Sequence, residues 1–276
     1  MRLLLKAEWI KLIRQSKTYY AFGAILIIES LILFTAYYQG STILDLLLDN
    51  LKQSFYFEGS LLNGNLLMYI VLNSLWFNLP LILMIVTSGL VTDEYKDGTI
   101  QTVMLQAVDK WKFMSAKYIT AIAFTVFVIL FMMLSTFVLA YSIFGDGDLV
   151  VYLGTLNFFT AADAFHRICW AFASGAVSMV FYAVVSLTLA VMIKESSKTW
   201  IASALFLIIT TLLLKVDFGA EVINQVFFPK LIDSWQQLFA YEPDWYQVLV
   251  NNFMLLLYAL GFGGLGIYIF HKNDIG

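Results

Sequence analysis

The sequence predicts an all-α integral membrane protein: six transmembrane helices, an N-terminal interfacial helix, and a short amphipathic helix in a polar loop. Three observations predict it. Of 276 residues, 61% are hydrophobic, 17% aromatic and only 13% charged, far from the roughly 45–50% apolar and 25% charged of soluble domains. Six apolar runs, residues 19–38, 66–90, 118–144, 168–193, 199–214 and 248–270, approach or exceed the ~17–25 residues that cross a hydrocarbon core of about 30 Å. Basic residues are also segregated. Placing the N-terminus in the cytoplasm leaves 12 of the 16 Lys and Arg on that side, as the positive-inside rule favours. The net charge of −3 averages a basic inner face with an acidic outer one and so says little about partners; no nucleic-acid partner is expected.

Residues 1–18 open the chain. Leu5, Trp9, Leu12 and Ile13 share one helical face, with Arg2, Lys6, Lys11, Arg14 and Lys17 away from its centre; such a helix lies at the headgroup boundary of anionic lipid. No small-residue cleavage site follows, so the first span is expected to stay in place. Glu29 is the only Asp, Glu, Lys or Arg inside any of the six runs, and on insertion scales a mid-span carboxylate costs about 2.5–3.5 kcal/mol. Glu29 is therefore expected either to line a substrate pathway together with Asn73 and Asn78 of the second run, as a contact for a cationic substrate or a proton-coupled gate, or to be a neutral acid hydrogen-bonded to one of those amides or to a second subunit. Pro80 in the second run removes a backbone hydrogen bond and should bend that helix.

Between the second and third runs, residues 93–117 hold eight of the chain's 35 Asp, Glu, Lys and Arg residues. Ile100, Val103, Met104 and Ala107 follow the i, i+3, i+4, i+7 spacing of one helical face. Gly98-Thr99 supplies a bend and a helix cap at its start. The expectation is a short amphipathic helix that docks a partner through Ile100, Val103 and Met104.

On the other side, Ile43, Leu46, Leu47, Leu51 and Phe55 can form an apolar face resting on the membrane. Residues 215–247 mix aromatic and charged side chains, as a membrane-capping element or a plain interfacial belt would. The fifth run, at 16 residues, reaches only roughly 24 Å, so its helix is expected to continue past Lys215, whose stem can snorkel.

Several motifs carry no chemistry in this setting. Gly261, Gly263 and Gly266 spell GxGxxG inside the sixth run, with no strand before them, which reads as helix packing. Ala171, Ser174, Gly175 and Ser178 supply small residues at i, i+4 spacing for close helix approach. Cys169 is the only cysteine, so neither a disulfide nor a metal cluster is expected. His166 and His271 lie outside the spans, so Ser88 or Ser174 has no histidine for intramembrane hydrolysis. Neither a Walker A sequence nor HExxH occurs.

Two stretches together resemble one known family. The run Glu8-Trp9-Ile10-Lys11-Leu12-Ile13-Arg14 is similar to the elbow helix before the first span of ABC-2 type permeases, with Glu8, Lys11 and Arg14 keeping the acidic, basic, basic order. Asp93-Glu94, Gly98-Thr99, Leu105, Lys110 and Lys117 resemble the cytoplasmic loop of the same permeases. One departure is that Ala107-Val108-Asp109-Lys110 stands where the family usually has a proline-containing turn. The resemblance implies a single ABC-2 transmembrane domain over 1–276, and a coupling helix carried by Glu94, Gly98, Thr99, Ile100, Val103, Met104 and Leu105 that sits in a cleft of a separate cytoplasmic ATPase. It also implies a second permease subunit, identical or related, and membrane lipid around both. The chain itself would be no enzyme and hold no cofactor; ATP and Mg would be bound by the ATPase. The implied function is export of an amphiphilic peptide, antibiotic or lipid across a bacterial plasma membrane, with both termini cytoplasmic. A membrane-embedded sensor or assembly subunit that recruits a cytoplasmic partner without transport would use the same loop.

Overall fold

The computed structural model describes residues 1–52, 61–106, 108–153, 155–216, 219 and 226–272, with the backbone alone for 41–52. Helix α1 (Arg2–Arg14) turns at Gln15 into α2 (Ser16–Lys52); α3 (Gly64–Lys96), α4 (Thr99–Met104) and α5 (Lys110–Phe144) follow. A hairpin of β1 (Leu149–Tyr152) and β2 (Leu156–Phe159) leads to α6 (Ala161–Ile193) and α7 (Ser196–Leu214). The described residues end with α8 (Phe228–Ile232), a 3-10 helix (Ser234–Phe239) and α9 (Trp245–Lys272). Among the described residues α2, α3, α5, α6, α7 and α9 are long and apolar enough to cross a membrane, and each contains one of the six apolar runs. The chain is thus an all-α, multi-pass membrane protein, and among the described residues its only sheet is the small hairpin. That hairpin was not expected: its two four-residue strands lie between the third and fourth apolar runs and are too short for periodicity to mark them.

Helix α6 forms the centre. Of its most apolar stretch 72% is buried, against 22% for α2, α7 and α9, so the other helices wrap it. Hydroxyls staple it to three neighbours: Ser186 Oγ donates to the Met84 carbonyl of α3 at 2.7 Å, Thr188 Oγ1 to the Phe262 carbonyl of α9 at 3.0 Å, and Tyr118 of α5 meets Thr188 at 2.9 Å. Such bonds hold helices together where apolar contact alone does not distinguish protein from lipid. Gly263 and Gly266 face this junction, packed under Val184 and Tyr118, consistent with a packing role for the GxGxxG pattern.

One expectation about the loops is corrected, and one of two alternatives is set aside. Helix α7 does not continue past Lys215. It begins three residues before the apolar run, and Lys215 and Val216 close its last turn by donating to the Leu212 and Leu213 carbonyls, tight i→i+3 bonds that end a helix. Its 19 residues rise roughly 28 Å, enough to span. The segment after α7 is not a plain belt. Leu231, Trp235, Leu238 and Phe239 are all buried, and Arg167 at the start of α6 clamps them by donating to the Leu238 and Ala240 carbonyls, each at 2.8 Å. Tyr241, Trp245 and Tyr246, further along, stay exposed. The apolar face expected of Ile43, Leu46, Leu47, Leu51 and Phe55 lies outside the described residues, as does Ala107.

Candidate functional site: the junction of α1 with the α3–α5 loop

At the end of the bundle where α1 lies, three helices meet through charge. Lys117, eight residues into α5, has a fully buried side chain. Its ammonium contacts Glu8 Oε2 of α1 at 2.9 Å and Glu94 Oε1 of α3 at 2.8 Å, and donates to the Leu90 carbonyl at 2.8 Å. The Phe113 ring lies 4.6 Å away. Lys11 on α1 donates to the same Glu94 oxygen. Burial alone would lower the Lys11 pKa, but Glu94, then Glu8 and Asp97, pull it above its ordinary value. The charges of Glu8, Lys11, Glu94 and Lys117 sum to zero, the condition under which a buried ionic cluster is tolerated. Beside it Lys17 holds both Asp93 oxygens, at 2.7 and 2.9 Å, and lies 5.1 Å from the Trp200 ring of α7.

Local sequence explains why these groups converge. Glu8, Leu12 and Trp9 lie on the face of α1 that meets the bundle; Glu8 and Leu12 are buried and Trp9 packs edge-on against Phe127 of α5. Arg14, the third elbow residue, is exposed and is not part of the cluster. Helix α3 ends where Gly98 takes φ +65, a left-handed turn that L side chains rarely adopt. Thr99 begins α4 without a side-chain cap to that helix; its hydroxyl instead reaches back to the Glu94 carbonyl at 3.4 Å. Asp109 then caps α5 by accepting from the Trp111 N–H at 2.9 Å, so it starts this helix without the proline turn.

The orientation of α4 differs from expectation. Ile100 is buried, and Val103 and Met104 pack against the core, so the apolar face predicted to dock a partner is turned inward. The outward side is Gln101, Thr102, Leu105 and Gln106, and Leu105 is 90% exposed. An amphipathic pattern shows that a helix has one apolar face; it does not show whether its own protein or a partner covers that face. Asp93 and Lys117 carry the loop resemblance and Lys17 belongs to the basic side expected of the N-terminal helix, but none of the three was expected to pair across helices. Their signal is a charged residue at the polar border of an apolar helix, which sequence alone cannot pair.

Glu29 stands apart from this junction. It is fully buried between α2 and α5, and its Oε1 accepts from Ser135 Oγ at 3.0 Å and Thr136 Oγ1 at 2.9 Å. The expected bond to Asn73 or Asn78 is not made; those amides donate to the Tyr69 and Ser74 carbonyls of their own helix. The α2 face bearing Glu29 therefore meets α5, where Ser135 and Thr136 supply the hydroxyls. Pro80 remains inside α3, which continues to Lys96.

Over residues 4–213 the chain matches the family described as ABC-2 family transporter protein. The chain belongs to that family. No curated protein matches it. The matched region runs from α1 almost to the end of α7, so it contains the whole ionic junction and α4, while α8, the 3-10 helix and α9 lie beyond it. As an ABC-2 family transporter protein, the chain is a permease subunit of an ABC transporter, a transport membrane subunit and not itself an ATPase. Membership also implies association with an ABC ATPase.

Proposed function

We propose that this permease is the membrane half of an ATP-driven exporter, and that the Leu105 side of α4 is the surface a separate cytoplasmic ATPase grips. The observation that carries the reading is the exposure of Leu105 on a short helix whose other face is anchored in the core. Such a helix moves with the bundle rather than alone, because the chain at its start is tied through Glu94 to α1 and α5. The positive-inside count favours the cytoplasmic side for this end and for both termini, and the membrane we infer is a bacterial plasma membrane.

Two permeases, identical or related, enclose the pathway, and two ATPases bind ATP and Mg below them. ATP-driven closure pulls each α4, and the permeases exchange inward-open for outward-open packings, one of which binds the amphiphilic cargo better. The test is recovery of the ATPase with Leu105→Asp. A carboxylate at a surface that must lose water disfavours the complex by about several kcal/mol, so ATPase recovery should fall at least tenfold while the permease still purifies folded. Undiminished recovery would remove the docking role, and the absence of any nucleotide-binding partner with wild type would favour a sensor.

A further inference from the structure

At the opposite end of the bundle a cavity of about 200 Å³ opens between α3, α6, α7 and the buried segment after α7. Trp76, Phe77, Tyr182 and Trp235 supply aromatic wall, Asn73 supplies an amide, and Asp233 is the one charged residue lining it. The Trp76 and Trp235 rings stand 4.9 Å apart at 46°. Their placement is built in: a Cβ on Gly175 of α6 would come within 1.8 Å of the Trp76 ring, so the ring lies where only glycine leaves room. Among the described residues Asp233 makes no ion pair, unlike the carboxylates of the ionic junction.

We infer that this cavity is a binding site for a small organic ammonium group, held by the Asp233 carboxylate and the faces of the surrounding aromatic rings. A ring face attracts cations, and more strongly once water is excluded. A carboxylate lacking a protein cation supplies the matching charge. An anion would meet Asp233 with no counter-charge in the wall, and a neutral ligand would leave the carboxylate unpaired at a cost. The volume admits an alkylammonium head and leaves the rest of an amphiphile to the membrane.

As a station for exported cargo the site rests on the permease reading; as a binding site it does not, so equilibrium binding without the ATPase separates the two. The probe is radiolabelled benzyltrimethylammonium, added to the permease in nanodiscs of phosphatidylglycerol, which has no ammonium of its own. Saturable binding is expected, displaced by unlabelled probe and at least tenfold less well by neopentylbenzene, its neutral carbon isostere. Asp233→Asn should weaken binding at least tenfold without lowering the unfolding temperature. Equal displacement by the isostere, or full binding by a folded Asp233→Asn, would overturn the site; should that variant not fold, the isostere comparison in wild type decides alone. Replacing part of the lipid by phosphatidylethanolamine separates two sources of the ammonium. Weaker probe binding then assigns the site to a lipid headgroup, and unchanged binding to a soluble amine.

Discussion

At the α1 end of the bundle, two cations and two carboxylates share one junction and neutralise one another; at the hairpin end, Asp233 sits among aromatic rings with no cation beside it. Both places hold charge in surroundings that resist it, yet they resolve the cost differently. Glu8, Lys11, Glu94 and Lys117 answer each other within the chain, so nothing is left for a ligand and the three helices are fixed together. Asp233 is left for something from outside. On the proposed reading the two ends divide the work: the matched charges would transmit force, and the unmatched one would receive cargo.

The largest effect should come from breaking the matched set. Lys117→Met leaves Glu8 and Glu94 buried with one fewer cation, and removal of one partner from a buried pair costs about 3–5 kcal/mol. Denaturant titration of the purified permease should show a loss of that order, with part of it restored by Glu8→Gln in the same background. Asp233→Asn in a parallel titration should cost far less, since it removes a charge that has no cation beside it among the described residues. Equal losses at the two ends would erase the distinction between them.

The next effect is smaller and belongs to Asp233. Burial pushes its carboxyl up to about 6, against an opposing pull from the Trp235 side chain. Because the folded value is raised, the proton is held more tightly than in an unfolded chain, and a bound cation must compete with it. Affinity for benzyltrimethylammonium should therefore be full well above pH 6 and fall as pH drops through it, by about tenfold between pH 8 and pH 5. The other titratable groups acting on the carboxylate are the phenols of Tyr69 on α3 and Tyr182 on α6, whose ordinary values near 10 leave them uncharged across this window; α7 contributes only the neutral Thr210 and Thr211 to the cavity. A flat profile would mean that Asp233 does not carry the binding.

Sequence revealed these two regions to different depths. The spans were legible because apolar length is a property of consecutive residues. So were the helical nature of the α1 segment and the polar loop, from periodicity and from Gly98. What could not be read was pairing. Glu8 and Lys117 are 109 positions apart, and nothing local says that Lys117 turns inward while Arg14 turns out. Glu29 was seen as costly, but its partners proved to be Ser135 and Thr136, hydroxyls too common in apolar helices to stand out. Asp233 was hidden for the opposite reason. In a loop crowded with aromatic and charged residues it looked like ordinary interfacial composition, until folding carried Leu231, Trp235 and Phe239 inside.

The smallest effect returns to the α1 end and asks how local the matched set is. Asp109 caps α5 through the Trp111 N–H and lies 3.8 Å from the ammonium of the exposed Lys112. Replacing an N-cap Asp by Ala typically costs about 1 kcal/mol. Asp109→Ala should fray the first turn of α5, read as faster hydrogen exchange at Trp111 and Lys112. Lys117 lies two turns further along, beyond the reach of a lost cap, and is held by Glu8, Glu94 and the Leu90 carbonyl. Exchange there, and recovery of the ATPase, should therefore match wild type. If fraying spread to Lys117, the ionic junction would depend on its loop for support, and force would pass through the cap as well as through the buried charges.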